Sequence, residues 1–139
     1  MEKEEIWVFD KERGRFNPLT IRGSIIPAGY NVIVCNTFSL SMLPPKAHCD
    51  LLVFRITEEN AKEILKECKW TSAIGHQSTA LLLSKRLKVS IPTNRITVTL
   101  DKKTVLLVAQ LLGPRKEFKE MTEEEIEKYP LGFFLIWLE

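Results

Sequence analysis

The pattern of hydrophobic and polar positions divides most of the chain into short strands and amphipathic helices. A β-branched, apolar run at residues 31–35 predicts an interior strand because it carries almost no charge. A second apolar run at 51–56 predicts another strand. The segment from Gly132 to Leu138 is apolar throughout and predicts a buried strand that closes the chain.

A hairpin is predicted farther along the chain. Residues 96–100 alternate between apolar and polar side chains, which is the period of a half-buried strand. The turn-forming residues 101–103 follow, and the hydrophobic segment 104–112 predicts a returning strand. We therefore expect these two strands to pair in antiparallel fashion.

Three segments combine a helix-starting signal with apolar residues at helical spacing. Thr57 is followed by two glutamates and then by an apolar face, which predicts a capped helix. A second helix is expected to begin near His76 and to end at about Leu87. Thr122 and Glu125 have the spacing of a capping box and predict a third, short helix.

The first thirty residues are predicted to be an addition to the main domain, which spans residues 31–139. Residues 6–9 and 19–22 have strand character, and residues 10–14 supply turn chemistry between them. A β-hairpin or two short edge strands is the expected outcome. The fold class is accordingly α/β, with α+β character: one domain with a mixed central sheet of about five strands, flanked by helices, plus an N-terminal β extension.

Composition and charge narrow the class of partner. The 139 residues are 45% hydrophobic and 27% charged, which is ordinary for a globular protein of one domain. The net charge of +2 is uninformative, but basic residues cluster between positions 85 and 103 and glutamates between 117 and 127. This distribution fits a small anion better than a long nucleic-acid duplex, although such runs are also typical of solvated helix faces.

Cysteine usage and the chain ends predict a soluble, cytoplasmic protein without membrane contact. The three cysteines lack paired spacing and are expected to be reduced. Residues 1–5 are too acidic for a signal peptide, and the apolar run 133–138 is too short to span a bilayer. A zinc site built from His48, Cys49 and His76 is disfavoured because adjacent ligands have poor geometry, so no metal or other cofactor is expected.

The stretch from Ala73 to Leu83 carries the chemistry that stands out from the residues alone. A glycine is followed by His76 and three more polar residues, and then by helix formers. The first-turn amides of a helix lack partners within it, and the helix dipole favours an anion there, most often phosphate. A histidine at such a place can donate or accept a proton near neutral pH. The alternative is a plain helix start, in which Ser78 or Thr79 only caps the helix and His76 bonds locally.

Polar residues also follow the strand at 31–35. Asn36 and Ser39 lie just past its carboxyl end, where open α/β sheets place contacts to ligands. Alternatively, these side chains form a turn in which they bond their own backbone.

Three blocks of sequence together resemble one small family. They are Asn36–Ser39 with Met42-Leu43 following, Ala73–Thr79, and Asn94–Ile96. In this order and spacing they are similar to the viral ring nucleases, which are type III anti-CRISPR proteins of archaeal viruses and of bacterial phages or mobile elements. The similarity covers about residues 31–139, and the Ile-Gly-His-x-Ser-Thr motif is its most specific part.

The resemblance implies an activity and a ligand. Members of the family are homodimeric α/β proteins that bind cyclic tetra-adenylate, the second messenger of type III CRISPR systems. They cut this ring, without a metal, to linear di-adenylate with a 2′,3′-cyclic phosphate, which switches off the signal. The resemblance therefore implies a cyclic oligoadenylate phosphodiesterase that acts in the host cytoplasm.

The same resemblance assigns roles to individual residues. The general acid of the family falls on His76, and a phosphate-contacting arginine falls on Arg95. A glutamate in the loop after 104–112 falls on Glu117, while the neighbouring arginine column falls on Pro114, so Arg115 is the candidate. The polar substrate-binding positions fall on Asn36, Ser39, Gln77, Ser78, Thr79 and Gln110.

Two other functions stay open. The one-residue displacement at Pro114 is compatible with a non-catalytic sponge that binds the cyclic oligonucleotide without cutting it. A small viral regulatory or nucleic-acid-binding protein would instead use the basic segment 85–103, but this segment lacks the interleaved aromatic residues that single-strand binders tend to use.

Overall fold

The computed structural model describes residues 7–10, 15–18, 26 and 29–139. In the N-terminal extension, β1 (Trp7–Asp10) pairs with β2 (Arg15–Pro18) in antiparallel fashion. The partner of the first strand thus comes earlier than the predicted 19–22, which lies outside the described residues. The division of the chain at residue 30 stays a prediction.

The rest of the chain alternates strands with helices. The two short 3₁₀ turns lie at Leu40–Met42 and Phe118–Glu120. The larger elements are β3 (Asn31–Cys35), β4 (Leu51–Ile56), α1 (Glu58–Glu67), β5 (Trp70–Ser72), α2 (Gln77–Leu87), β6 (Thr104–Leu111), α3 (Glu123–Lys128) and β7 (Leu131–Leu138).

The described strands from β3 onward form one mixed sheet of five, in the order β4-β7-β6-β3-β5. β3 is parallel to both β5 and β6, whereas β7 runs antiparallel between β6 and β4. The predicted α/β class with a five-stranded mixed sheet is confirmed. β3 is an interior strand, as its uncharged, β-branched sequence predicts.

Strand alternation divides the core between the two faces of the sheet. In β6, Val105 and Leu107 face the layer formed by α1 and α2, and Leu106 and Val108 face the opposite side. Both sets are buried, so β6 is the apolar centre of the fold. This explains why residues 105–109 show a continuous apolar run rather than an alternating one.

The helices begin where their starting signals lie. The Thr57 hydroxyl accepts a hydrogen bond from the Asn60 amide at 3.1 Å and caps α1. Thr122 and Glu125 form a complete capping box at the start of α3. α2 begins at Gln77, with His76 at its N-cap, and ends at Leu87.

The predicted hairpin between 96–100 and 104–112 is wrong. Both edges of β6 are occupied, one by β3 and the other by β7, so no edge is left for residues 96–100. This segment has no strand structure and lies across the sheet face opposite the helices, where Val98 and Leu100 are buried. Leu100 donates its amide to the Met42 carbonyl at 2.7 Å rather than to a strand. The alternating pattern of residues 96–100 arises because one side of the segment is buried against the face of the sheet, and not because the segment is a strand within it.

A short strand, β5, is absent from the sequence-based prediction. Its three residues, Trp70–Ser72, are too few to produce a recognisable period, and only Ser72 is buried. The strand nevertheless fixes the fold near the helix start, because it pairs in parallel with β3 and leads directly into the segment before α2.

The placement of residues 96–100 predicts unequal losses of stability on truncation. Leu100 is 1% exposed and Ile96 is 43% exposed. Leu100→Ala should lower the free energy of unfolding by about 2–5 kcal/mol because it leaves a cavity, whereas Ile96→Ala should cost less than about 1 kcal/mol. Urea unfolding of both variants checks this. Equal losses would instead support a hairpin, in which both side chains share one buried face.

Candidate functional site

Three parallel strands bring distant parts of the sequence to one edge of the sheet. β3, β5 and β6 run in the same direction, so their carboxyl ends meet at that edge. Asn36 follows β3, His76 comes after β5 at the start of α2, and the loop that carries Arg115 follows β6. Open α/β sheets bind ligands at this kind of edge.

A pocket of about 370 Å³ lies at this edge. Six of the residues predicted from sequence line it: Asn36, His76, Ser78, Thr79, Arg115 and Glu117. The other lining residues, which sequence analysis did not identify, are Leu82, Leu111, Gly113, Lys116 and Tyr129.

His76 lies exposed at the N-cap of α2, in an extended backbone conformation. Its side chain makes no hydrogen bond with any residue that the structure describes, and the expected alternative, a local bond or a Ser78 or Thr79 cap, is not observed. Within the described part of the chain, the amides of residues 77–79 also donate to no other residue. The helix start therefore presents unpaired donors and a free imidazole to the pocket.

Hydrogen bonds fix the segment that precedes His76. Asn94 donates its side-chain amide to the Ser72 carbonyl at 2.7 Å and its backbone amide to the Ile74 carbonyl at 2.8 Å. The buried Ser72 hydroxyl donates to the Pro92 carbonyl at 2.6 Å and accepts from the Ile74 amide at 3.2 Å. These bonds hold residues 92–94 against residues 72–74 and so set the direction in which α2 begins.

Arg95 lies beside the same segment but does not line the pocket. Its Nε donates to the Gly75 carbonyl at 2.9 Å. A Cβ added at Gly75 would lie 3.4 Å from the Arg95 Cγ, which is an ordinary van der Waals contact. Arg95 is exposed, and its terminal nitrogens have no partner among the described residues. The structure thus places Arg95 next to the residue before His76 but not among the residues that line the pocket.

The loop after β6 brings Arg115 and Glu117 to the pocket. Pro114, which occupies the position expected for an arginine, accepts a hydrogen bond from the Tyr129 hydroxyl at 3.1 Å. Phe118 donates its amide to the Ser78 hydroxyl at 2.5 Å. Arg115 and Glu117 therefore lie between two anchored residues, and the one-residue displacement does not remove Arg115 from the pocket lining.

Gly113 is required by close packing at the start of this loop. A Cβ there would lie 2.9 Å from the Tyr129 ring and from Pro130 Cδ. A Gly-Pro pair such as that at 113–114 is typical of a turn. Its contact with Tyr129 joins residues sixteen positions apart, so no local pattern could reveal it.

The charges at the pocket are mixed. Arg115 and Lys116 are positive and Glu117 is negative, and Lys116 also donates to Glu125 at 2.6 Å. That hydrogen bond, with a second from the Thr122 amide, holds the pKa of the Glu125 carboxyl below its usual range. Behind Asn36, burial raises the pKa of the Cys35 thiol to about 11, so this thiol is not a nucleophile at neutral pH.

Three predicted binding residues do not line the pocket. The Ser39 hydroxyl accepts from the Ser41 amide at 3.3 Å and lies 2.9 Å from the Ser41 hydroxyl, which is the local alternative described above. Gln77 is exposed at the first position of α2. Gln110 is exposed near the end of β6, opposite Gly132 of β7.

A second, more open depression of about 510 Å³ lies at the opposite ends of β3 and β5. It is lined by Asn31, Val32, Cys68, Lys69, Trp70 and Thr71. Trp70 donates its indole N–H to the Leu65 carbonyl at 3.0 Å. The lining of this depression includes neither a helix start nor the arginine and histidine that line the first pocket.

The described residues contain neither a metal-binding cluster nor a membrane-spanning helix. There, no three His, Cys, Asp or Glu side chains form a group that could hold a metal ion. His48 lies 3.2 Å from Asp50, and it does not meet Cys49 and His76 in such a group. Likewise, none of the described helices is long and apolar enough to cross a bilayer.

The fold and the pocket define a small α/β protein with a candidate site at the carboxyl ends of parallel strands. A profile of the STIV B116-like family matches residues 32–135, and the chain belongs to that family, whose members are small proteins of archaeal viruses. The chain is 36% identical over 106 residues to Uncharacterized protein 26 of Sulfolobus islandicus filamentous virus (isolate Iceland/Hveragerdi), covering 76% of this chain and 86% of that protein.

A solved structure has the same fold. B116 of Sulfolobus turreted icosahedral virus matches with a TM-score of 0.66 at 23% sequence identity. The match covers 77% of this chain and 98% of B116. At this identity, the likeness establishes the architecture of the main domain.

The Asn94 bonds predict an effect of an isosteric substitution. Asn94→Asp replaces the amide donor with a carboxylate oxygen that faces the Ser72 carbonyl, so it should lower the free energy of unfolding by about 1–3 kcal/mol. Asn60→Asp is the matched control. It adds an acid in the first turn of α1, where the helix dipole favours one, and should be neutral or stabilising. Urea unfolding measures both, and equal stability of the two variants would contradict the role of Asn94.

Proposed function

We propose that the protein is a metal-independent ring nuclease that binds cyclic tetra-adenylate and cleaves it to linear di-adenylate with a 2′,3′-cyclic phosphate. One observation supports this most strongly. His76, from the Ala73–Thr79 block, lines a single pocket at the start of α2 together with Arg115 and Glu117 from the loop after β6. In an infected cell, this reaction would switch off type III CRISPR signalling.

The residue types fit the reaction. The ribose 2′-oxygen attacks the adjacent phosphorus, the bond from phosphorus to the 5′-oxygen breaks, and a 2′,3′-cyclic phosphate forms. The 2′-hydroxyl proton passes to water, and His76 gives a proton to the departing 5′-oxygen. Because the nucleophile belongs to the substrate, the protein has to orient it and to stabilise negative charge. No step consumes water or needs a metal.

Negative charge on the phosphorus centre would be met by two kinds of donor. Arg115 supplies a guanidinium, whose fork geometry matches phosphate oxygens. The unpaired amides of residues 77–79 supply aligned N–H groups at the positive end of α2. Ser78 and Thr79 line the same wall and complete the proposed phosphate cradle. Asn36 lies at the end of β3 and would contact the nucleotide from the other side.

A homodimer is part of the proposal. The pocket volume of about 370 Å³ suits one nucleotide better than a ring of four. A four-membered ring has a two-fold axis, so two subunits in an isologous dimer could hold it symmetrically. Each His76 would then face one of two opposite phosphodiesters. The rest of the ring would extend beyond the pocket, where it would meet the predicted site residues that do not line the pocket of their own subunit: Ser39, Gln77, Gln110 and Arg95.

Of the two alternative functions, the sponge is favoured by one observation and the nucleic-acid-binding protein is weakened by another. A sponge uses the same pocket without the reaction, and it is favoured by the position of Arg95, whose Nε is engaged by the Gly75 carbonyl. A nucleic-acid-binding surface on the segment 85–103 is weakened by Arg86. This side chain is only 14% exposed and bonds Glu58, so one charge of the basic run is used inside the protein.

The role of His76 predicts the outcome of one substitution. His76→Ala should slow cleavage of cyclic tetra-adenylate roughly 10²- to 10⁴-fold, the range for loss of a general acid, while binding is retained. The measurement is chromatography of products from single-turnover reactions in EDTA, with a binding assay alongside. His48→Ala is the matched control, since His48 is exposed and pairs only with Asp50 among the described residues.

Each alternative gives a different result in that experiment. Tight binding with no turnover by the wild-type protein would support the sponge. Cleavage that persists in His76→Ala would contradict the assignment of the general acid. Absence of both binding and cleavage would overturn the proposed function in either form.

A further inference from the structure

We infer that Tyr129 and Arg86 are positioning residues for the loop that carries Arg115 and Glu117. This inference rests on the proposed function for its kinetic consequences. Its structural part, that these two side chains hold the loop in place, can be tested without any ligand. Arg86 does not line the pocket, and Tyr129 contributes its ring to the lining but turns its hydroxyl to Pro114.

Arg86 ties three helices together. From α2, its Nε and one terminal nitrogen bond the Glu58 carboxylate at the start of α1. Its other terminal nitrogen donates to the carbonyl of Ile126 at 3.1 Å and to that of Tyr129 at 2.5 Å, at the end of α3. The Ile126 carbonyl also accepts from the Tyr129 amide at 3.4 Å. The guanidinium therefore adds a charged donor at a helix end, where carbonyls have few partners.

Tyr129 connects Arg86 to the loop that carries Arg115. Its carbonyl is held by Arg86, and its hydroxyl donates to the Pro114 carbonyl at 3.1 Å. Its ring lies against Gly113, where there is no room for a Cβ. Pro130, the next residue, accepts from the Leu112 amide at 2.9 Å. The residues immediately before Arg115 are thus fixed by Tyr129 and Pro130.

These contacts matter because the loop has little regular structure of its own. Residues 112–117 form neither helix nor strand, so their positions depend on tethers from neighbouring elements. The hydroxyl of Tyr129 holds the side before Arg115, and Ser78 holds the side after Glu117. A charged group that stabilises a transition state must be held in place before the reaction, since misplacement by about 1 Å can cost roughly 100-fold in rate.

A double-mutant cycle tests the kinetic consequence. Tyr129→Phe keeps the ring and removes only the hydroxyl, so kcat should fall roughly 3- to 10-fold, as for loss of one neutral hydrogen bond, with KM changed less than about twofold. In the background of Arg115→Ala, the same substitution should change kcat less than about twofold, because the hydroxyl acts through Arg115. Full multiplication of the two effects would overturn the inference.

Two further variants separate positioning from general destabilisation. Arg86→Lys keeps the charge but loses the planar set of guanidinium N–H donors. It should therefore lower kcat, as Tyr129→Phe does. Lys128→Ala is the control on the same helix, because Lys128 pairs only with Glu124 at the surface among the described residues. It should leave kcat unchanged. A fall in kcat for Lys128→Ala equal to that for Arg86→Lys would also overturn the inference.

Amide hydrogen exchange provides the readout that does not need activity. In unliganded Tyr129→Phe, the hydrogen-bonded amides of Leu112 and Phe118, which flank the loop, should exchange faster than in the wild-type protein, and exchange in β7 and α2 should be the same. Unchanged exchange at Leu112 and Phe118 would overturn the positioning role. If the wild-type protein neither binds nor cuts cyclic tetra-adenylate, the proposed function fails, while the exchange result still decides whether Tyr129 positions the loop.

Discussion

Parallel pairing of β3 with β5 and β6 is the constraint on which the rest of the structure depends. It brings the carboxyl ends of three strands to one edge, where residues from distant parts of the sequence line one pocket. Asn36, His76 and Arg115 could not line one pocket if any of these strands were reversed. The helix that follows β5 then presents its free amides at the same edge, so the sheet and the helix start create the site together.

The antiparallel strand β7 sets the limits of this arrangement. By pairing with β6 and β4, it occupies the edge that a hairpin would have used. The segment 92–100 is consequently free to cross the face of the sheet, and Asn94 and Arg95 reach the turn before His76 from there. The same strand is preceded by Tyr129 and Pro130, which hold the loop of Arg115. The turn before His76 and the loop that carries Arg115 therefore both depend on the path of the chain around β7.

Local signals were sufficient for most elements of the main domain and for part of the site. The caps at Thr57 and Thr122, the apolar run of β3 and the polar start of α2 are all encoded within a few residues. Pairing is encoded non-locally, so the alternation at 96–100 was mistaken for a strand, and the three-residue strand β5 gave no period. The placement of Gln110 and Arg95 outside the pocket depends on tertiary contacts, as does the contribution of Tyr129, whereas Ser39 makes a local bond to Ser41.

The central claim is that cyclic tetra-adenylate binds at the edge formed by β3, β5 and β6. Backbone amide chemical shifts of His76→Ala, recorded by NMR with and without the ring, test this most directly because the variant should bind without turnover. We expect the largest shift changes at Asn36, at residues 76–79, at Gly113 and at residues 115–118. Changes concentrated instead around Asn31 and Trp70, at the opposite ends of the strands, or no changes at all, would contradict the claim.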